Sequence, residues 1–213
     1  MPADDGADVW VFGYGSLMWR PGFEPVESRT ALLRGYHRSL CIYSTRYRGT
    51  PDRPGLVLGL DRGGACRGIA FRIAAAQTRQ VLAYLDEREM GQDDTVYLRR
   101  LLNIRLDDGR RVTAVTYVAD RNGARYTGRL GFENMATLVR AGSGMMGTAH
   151  DYLSQTLERM AALGLHGGPL RHVLEAASMG RDPAPAADMV DGTTTPPESA
   201  TDLPSGAGSG NHV

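Results

Sequence analysis

The chain has 213 residues, of which 42% are hydrophobic and 23% are charged, a composition typical of a globular protein with one sizeable core. Lysine and arginine together number 24, as do aspartate and glutamate, so the formal net charge is zero. This balance excludes the basic excess that favours nucleic acid or an anionic membrane, and we expect neither as a partner. No apolar stretch approaches the ~20 residues of a membrane span, and the acidic N-terminus does not resemble a secretory signal; we therefore expect a cytoplasmic protein.

The first part of the chain combines strand-like segments with glycine-rich turns. An apolar run at 9–12 ends at the glycines of the sequence GYGSL, and the cluster DRGGA is a turn signal between two later apolar segments. A loop rich in Arg, Gly and Pro, STRYRGTPDRPG, separates the second predicted strand from the third. Strands are predicted at 9–12, 36–43, 56–60 and 66–73.

A helix and a hairpin follow these strands. The segment 74–89 lacks Gly and Pro and has apolar residues at helical spacing, so it predicts a helix that stops at Gly91. Alternating segments at 96–106 and 112–118 flank the sequence DDGR, which is a strong hairpin signal.

The last part of the chain is predicted to be helical. Helices are expected at 132–140, 149–163 and 170–177. This order of elements predicts a single α+β domain over 9–179, preceded by a flexible leader at 1–8 and followed by a disordered tail at 180–213.

Several common site motifs are excluded by their spacing or context. Gly13-Tyr14-Gly15 opens like a dinucleotide-binding fingerprint, but Met18 replaces its third glycine. The sequence GSGMMG at 142–147 matches the fingerprint but follows a helix, so we expect a turn there, with Thr148 capping the next helix. The histidines lack zinc-site spacing, and neither a phosphate-binding loop nor a GxSxG elbow is present. The two cysteines lack CxxC spacing, which favours buried free thiols over a disulfide or a metal site.

Two features remain as candidates for chemistry: the GYGSL turn and the helix end DEREM. At Glu89, the unpaired carbonyls and the negative end of the helix dipole disfavour a charged carboxylate and raise its pKa. Asp86 is expected to act in the same direction, whereas Arg88 points about 100° away and need not pair with Glu89. Periodicity alone leaves a solvated helix end as the alternative, and the glycines are equally compatible with an ordinary strand-end turn.

The stretches VWVFGYGSLMWRPGF, RYRGTPDRPGLVLGL, CRGIAFRI, YLDEREM and GTAHDYLSQTLERMAALGL together resemble the ChaC-like γ-glutamylcyclotransferases. The similarity covers residues 9–177. It implies a small mixed β-barrel flanked by helices. It also implies an enzyme that acts on glutathione without a cofactor or metal and releases 5-oxoproline and cysteinylglycine. The family's roles carry over to Glu89 as general base and acid, and to a turn that holds the γ-glutamyl group: Phe12, Gly13, Tyr14, Gly15, Ser16 and Leu17.

This chemistry needs no nucleophile from the protein, because the α-amine of a γ-glutamyl group can attack its own γ-carbonyl. Arg48 is a candidate partner for the glycine-end carboxylate, as are Arg46 and Arg53, although a solvated loop face remains open. Tyr97 is a candidate either for orienting the substrate or for simple packing. Two alternatives to glutathione cleavage also stay open: cyclisation of other γ-glutamyl amino acids or amines, and non-catalytic binding of a γ-glutamyl metabolite.

Overall fold

A computed structural model of the chain describes residues 6–91 and 96–180. The predicted tail beyond 180 and most of the predicted leader lie outside the described residues. The barrel strands are β1 (Val9–Gly13), β2 (Glu27–Ser44), β3 (Gly55–Ile73), β4 (Tyr97–Leu106) and β5 (Arg111–Ala119). The helices are α1 (Ala75–Met90), α2 (Phe132–Ala141), α3 (Ala149–Ala162) and α4 (Gly168–Met179), and a two-stranded ribbon, β6 (Ser143–Gly144) and β7 (Gly147–Thr148), precedes α3.

Strands β1 to β5 close into a barrel in the order β1-β3-β2-β4-β5. Closure comes from β1, which pairs antiparallel with β3 and parallel with β5, with Trp10 opposite Ala114 and Val11 opposite Val115. The other strand pairs are antiparallel. The predicted mixed barrel with flanking helices is therefore confirmed.

The long hairpin of β2 and β3 differs from the prediction. Strand β2 begins at Glu27, nine residues before the predicted start at 36, and β3 runs unbroken where two strands and a turn were predicted. Gly63 and Gly64 have positive φ, and the β2 register shifts between Arg34 and Tyr36. The glycine cluster thus forms an irregularity within a continuous ladder, because paired neighbours keep the strands together across it.

Helix α1 is fixed at both ends. At its start, the backbone N–H of Ala75 donates to Asp8 Oδ1 at 3.0 Å, and Arg72 Nη1 donates to Asp8 Oδ2 at 2.5 Å. Asp8, the last residue of the predicted leader, therefore caps α1 and pairs with Arg72 of β3. At its end, Gly91 adopts a φ of 62°, as predicted for a glycine stop.

The core fills the barrel and continues under the helices. Leu85 of α1 is fully buried in this core, and Glu89, four residues later, lies on the same helix face. The position of Glu89 therefore follows from the packing of α1 against the barrel. Cys41 and Cys66 are buried and free, which confirms the expectation for both thiols.

The C-terminal helices match their predicted positions within a few residues. Thr148 is the N-cap of α3, and its Oγ1 accepts the backbone N–H of Asp151 at 3.0 Å, as the sequence predicted. In the part of the chain that the structure describes, no helix is long and apolar enough to cross a membrane.

Candidate active site

A cavity of about 600 Å³ opens at one end of the barrel. The turn after β1, the end of α1, the start of β4, the loop after β2 and one face of α3 meet around it. Its wall contains these predicted residues: Tyr14, Gly15, Ser16, Leu17, Arg48, Glu89 and Tyr97. The fold thus brings together segments that lie up to 138 residues apart, from Tyr14 to Tyr152.

Phe12 and Gly13, also predicted to bind the ligand, do not line the cavity. Phe12 is fully buried in the core, and its carbonyl accepts the hydroxyl of Thr116 at 3.0 Å. A Cβ on Gly13 would lie 2.9 Å from Leu17 Cβ, so this glycine permits the chain to fold back on itself. Both residues belong to strand β1. The strand runs one residue beyond its predicted end and so includes Gly13, and the role of both residues in holding a ligand stays a prediction.

The glycine turn continues from β1 into a single 3₁₀ turn at Ser16–Met18. A Cβ on Gly15 would lie 3.0 Å from the hydroxyl of Tyr152, so α3 closes directly against the turn. The turn is also held from β2, since Arg38 Nε donates to the carbonyl of Tyr14 at 2.6 Å and Arg38 Nη2 to that of Arg67 at 2.7 Å.

The carboxyl group of Glu89 lies at the edge of this cavity, with 15% of its side chain exposed. Burial raises its pKa, and the guanidinium of Arg88, with Nε 3.1 Å from Oε1, partly opposes that rise. Asp86 does not contribute as predicted, because it is turned toward Arg99 Nη1 at 2.6 Å and the Tyr117 hydroxyl at 2.7 Å. The rise in the pKa of Glu89 therefore comes from removal from water.

Arg88 connects Glu89 to the glycine turn, although helical spacing gave no reason to expect it. Its Nη2 donates to Ser16 Oγ at 2.8 Å, and its Nη1 donates to the carbonyl of Arg20 at 2.7 Å. The hydroxyl of Tyr84 accepts a further bond from Nη1 at 3.0 Å. One guanidinium thus fixes the spacing between the carboxyl group and the turn.

Two tyrosines are fixed by the backbone of Leu58 on β3. The Tyr97 hydroxyl donates to the Leu58 carbonyl at 2.7 Å, and the Leu58 N–H donates to the Tyr152 hydroxyl at 3.3 Å. Burial raises the pKa of Tyr97 and of Tyr152, with a further rise from nearby Glu89, so both stay neutral at physiological pH. The sequence predicted a helix at 149–163 but gave no role to Tyr152, although a buried tyrosine commonly brings a polar group to an interior.

The three loop arginines are placed differently. Arg48 is 8% exposed and lines the cavity, with Nη1 donating to the Thr148 carbonyl at 3.2 Å and the guanidinium 5.6 Å from the Tyr152 ring centroid. Arg46 also lines the cavity and lies over Tyr47. Arg53 is exposed and is not part of the wall. Arg48 is therefore the best placed of the three to meet a ligand.

The described residues contain no cluster of three His, Cys, Asp or Glu side chains that could hold a metal ion. The cavity wall instead offers hydroxyl groups, guanidinium groups and one carboxyl group with a raised pKa. These groups can bind an anionic ligand and move a proton.

The family model described as ChaC-like protein matches residues 9–176. The chain belongs to this family. A curated relative, the glutathione-specific gamma-glutamylcyclotransferase of Escherichia coli, is 38% identical over 170 residues, which cover 80% of this chain and 73% of the relative. Gamma-glutamylcyclotransferase 2-3 of Arabidopsis thaliana is 32% identical, with 81% and 88% covered. The human glutathione-specific gamma-glutamylcyclotransferase 1 is 34% identical, with 76% and 75% covered.

The fold of this ChaC-like protein also matches a solved structure. A crystal structure of a yeast γ-glutamyl cyclotransferase specific to glutathione aligns with a TM-score of 0.74 at 19% identity, covering 81% of this chain and 96% of the yeast chain. At that identity the match supports the shared barrel architecture alone.

Proposed function

We propose that this ChaC-like protein is a γ-glutamylcyclotransferase that converts glutathione into 5-oxoproline and cysteinylglycine. One observation carries the proposal: Glu89, with its raised pKa, and the glycine turn from Tyr14 to Leu17 line the same cavity. The relatives' names supply the substrate, since the E. coli and human proteins are both called glutathione-specific. The cavity volume of about 600 Å³ lies within the range usual for small-molecule sites.

The reaction begins when the α-amine of the γ-glutamyl group attacks the γ-carbonyl carbon. A carbon–nitrogen bond forms and closes a five-membered ring, and the amide bond to the cysteinyl nitrogen then breaks. Because nucleophile and electrophile belong to one molecule, a wall that holds the substrate folded can supply up to roughly 7–11 kcal/mol of the barrier reduction.

Glu89 moves the proton that this reaction requires. An α-amino group has a pKa near ~8 in model peptides, and the carboxylate on the same carbon of a γ-glutamyl group raises it further, so at neutral pH this amine must lose a proton before it can attack. Glu89 accepts that proton and delivers it to the departing amide nitrogen, and its carboxylate then carries the second proton from the ring nitrogen to the released amine. Such a role is typically worth a ~10²–10⁴-fold rate increase. Burial supports this role, because a carboxyl group with a raised pKa exchanges protons more readily near neutral pH.

The anionic ends of glutathione meet opposite sides of the cavity in this proposal. The first N–H groups of the 3₁₀ turn at Ser16–Met18 have no partner within the turn. In this proposal they bind the α-carboxylate of the γ-glutamyl group. Arg48 receives the glycine-end carboxylate, because its guanidinium is buried in the wall and holds its charge within a water-poor environment. The hydroxyl of Tyr97 is held by the carbonyl of Leu58, and Tyr97 forms part of the cavity wall together with the turn and Arg48.

The experiment is to incubate the purified protein with glutathione and to measure 5-oxoproline and cysteinylglycine. The variant Glu89→Gln keeps the size of the side chain but cannot accept a proton, so we expect its kcat to fall at least about 10²-fold. Undiminished turnover in this variant would remove the proposed mechanism.

The substrate is tested in the same assay with γ-glutamylalanine, which lacks the cysteinyl side chain and the terminal glycine. We expect glutathione to have the higher kcat/KM. A clear preference for γ-glutamylalanine would contradict the glutathione assignment while leaving the cyclisation intact. Saturable binding of glutathione without any product would instead indicate a binding protein.

A further inference from the structure

The hydroxyl of Tyr152 has no part in the proton transfer proposed for Glu89, and its proton points toward a position where a ligand could accept it. Its oxygen accepts the backbone N–H of Leu58 at 3.3 Å, so one lone pair is occupied and the O–H bond must point elsewhere. Among residues 6–91 and 96–180, no group accepts the proton of this hydroxyl. The residue is 7% exposed and lines the cavity, so its O–H can be satisfied by a ligand there.

The position of this hydroxyl relative to the glycine turn limits what it can contact. A Cβ on Gly15 would lie 3.0 Å from the Tyr152 oxygen, so a glycine at this position leaves space between the turn and the hydroxyl. A γ-glutamyl group held by the turn therefore brings its polar atoms within reach of Tyr152. Glu89 lines the same cavity, close enough for its charge to act on the hydroxyl.

Other tyrosines of the wall are less suited to donate to a ligand. The Tyr97 proton is used by the Leu58 carbonyl, and the Tyr117 proton is used by Asp86. The hydroxyl of Tyr84 accepts from Arg88, and the residue is 37% exposed, so water can take its proton. Tyr14 also lines the cavity, but no hydrogen bond among the described residues fixes the direction of its hydroxyl.

We propose that Tyr152 is a further catalytic residue, whose hydroxyl donates a hydrogen bond to the γ-carbonyl oxygen as that oxygen becomes negatively charged. This inference rests on the cyclotransferase function proposed above. When the α-amine nitrogen bonds to the γ-carbon, the π electrons of the carbonyl move onto its oxygen. They return when the bond to the cysteinyl nitrogen breaks. The Tyr152 proton stays on the tyrosine throughout, and Glu89 carries the transferred proton.

The surroundings of Tyr152 favour this kind of stabilisation. A donor that is already oriented and removed from water requires little reorganisation when charge develops, and this makes such donors effective. Burial raises the pKa of Tyr152, so the donor keeps its proton across the working pH range. The guanidinium of Arg48 lies over the ring, 5.6 Å from its centroid, and helps to hold it in place.

The test compares Tyr152→Phe with wild type in steady-state turnover of glutathione. Loss of one donor to a developing oxyanion typically lowers kcat ~10²–10³-fold. We expect a fall of that size, with KM changed only a few-fold and the pH dependence of kcat/KM unmoved, because Glu89 is intact. Tyr126→Phe is the matched control: its hydroxyl donates to Asp61 at 2.9 Å and is not part of the cavity wall, so its kcat stays at the wild-type value.

A binding measurement separates a catalytic role from a structural one. A glutathione analogue without the α-amino group cannot cyclise, and its affinity for Tyr152→Phe should stay within a few-fold of its affinity for wild type. If the phenylalanine variant fails to bind the analogue, 3-fluorotyrosine at position 152 replaces it, since that residue keeps the bond to Leu58 and has a more acidic hydroxyl. A stronger donor raises kcat, and an unchanged or lower kcat overturns the inference.

The outcomes distinguish this inference from the function on which it rests. Wild-type protein that releases no 5-oxoproline contradicts the proposed function. Active wild-type protein whose Tyr152→Phe variant keeps its kcat, or loses activity only through KM, contradicts the role of Tyr152 alone.

Discussion

Arg88 offers the most direct test of how the site controls its carboxyl group. Its Nε lies 3.1 Å from Glu89 Oε1, and its positive charge opposes the effect of burial on the pKa of Glu89. At that distance the attraction is worth about 1 kcal/mol in bulk water and about 5 kcal/mol at an effective dielectric constant of about 20. Replacing Arg88 by methionine removes the charge and keeps a flexible apolar side chain of similar length.

The loss of this charge has a defined sign. Without the cation, the charged form of Glu89 is less favourable, so its pKa rises further. The carboxylate is the form that accepts a proton from the substrate, and we therefore expect the acid limb of kcat/KM to move to higher pH in Arg88→Met. Activity near pH 7 falls as a result, and part of it returns as the pH is raised.

The same substitution also removes the bonds to Ser16 and Arg20, which would weaken the turn at every pH. Arg88→Lys separates the two effects, because lysine keeps the positive charge but lacks the planar set of donors. For Arg88→Lys we expect the acid limb of the pH profile of kcat/KM to stay near that of wild type, while KM rises because the turn is held less firmly. An acid limb in Arg88→Met that coincides with that of wild type would refute the electrostatic reasoning.

Two further predictions concern stability and substrate recognition. Because the pKa of Glu89 in the folded protein lies above its ordinary value of 4.5, wild type loses stability as pH rises from 4.5 through the folded-state pKa. Glu89→Gln has no such carboxyl group and lacks this loss. Urea unfolding should therefore show the free energy of unfolding of Glu89→Gln rising relative to that of wild type over this pH range. A difference between the two proteins that stays constant with pH would contradict burial as the cause of the raised pKa. Arg48→Met should lose the preference for glutathione over its C-terminal amide, measured as a ratio of kcat/KM, while Arg53→Met keeps it; a retained preference in Arg48→Met would place the glycine carboxylate elsewhere.

The sequence was most informative where a local pattern and the tertiary packing agree. Helix α1 carries Val81 and Leu85 at helical spacing and ends at a glycine that needs a positive φ. Both signals are local, so the helix and the position of Glu89 could be predicted without the rest of the fold. The burial of Glu89 follows from the same spacing, because it lies one turn beyond Leu85 on the packed face.

The side-chain partners of that helix end could not be predicted. Asp86 was expected to act on Glu89, yet it pairs with Arg99 on β4, which the barrel brings next to α1. Arg88 was expected to point away, but its long side chain reaches back to the turn after β1. In both cases the partner is distant in sequence, and helical geometry alone gives only the direction in which a side chain leaves the backbone.

The long strands were underestimated for a similar reason. The first half of β2 begins with charged and polar side chains, including Glu27 and Arg29, and only Ala31 and Leu33 are buried before the register shift at Arg34. Glu27 is held by Arg29, Arg72 and Arg110, and these ion pairs lower its pKa to about 2. The hydrophobic pattern of this segment is therefore weak, and it is stabilised as a strand by contacts with residues of other strands, which its own sequence does not reveal.

The contacts of Ser16 bear on where the attacking atom comes from. A serine nucleophile needs a neighbouring base that accepts its proton, whereas the partner of Ser16 Oγ is the Arg88 guanidinium, which has no lone pair to accept one. Arg88 therefore uses Ser16 as an acceptor and holds the turn in place. The carboxyl group that can act as a base, Glu89, is bound to the other side of the same guanidinium. An arrangement of this kind suits a substrate that brings its own nucleophile and needs from the protein only a fixed shape and a proton carrier.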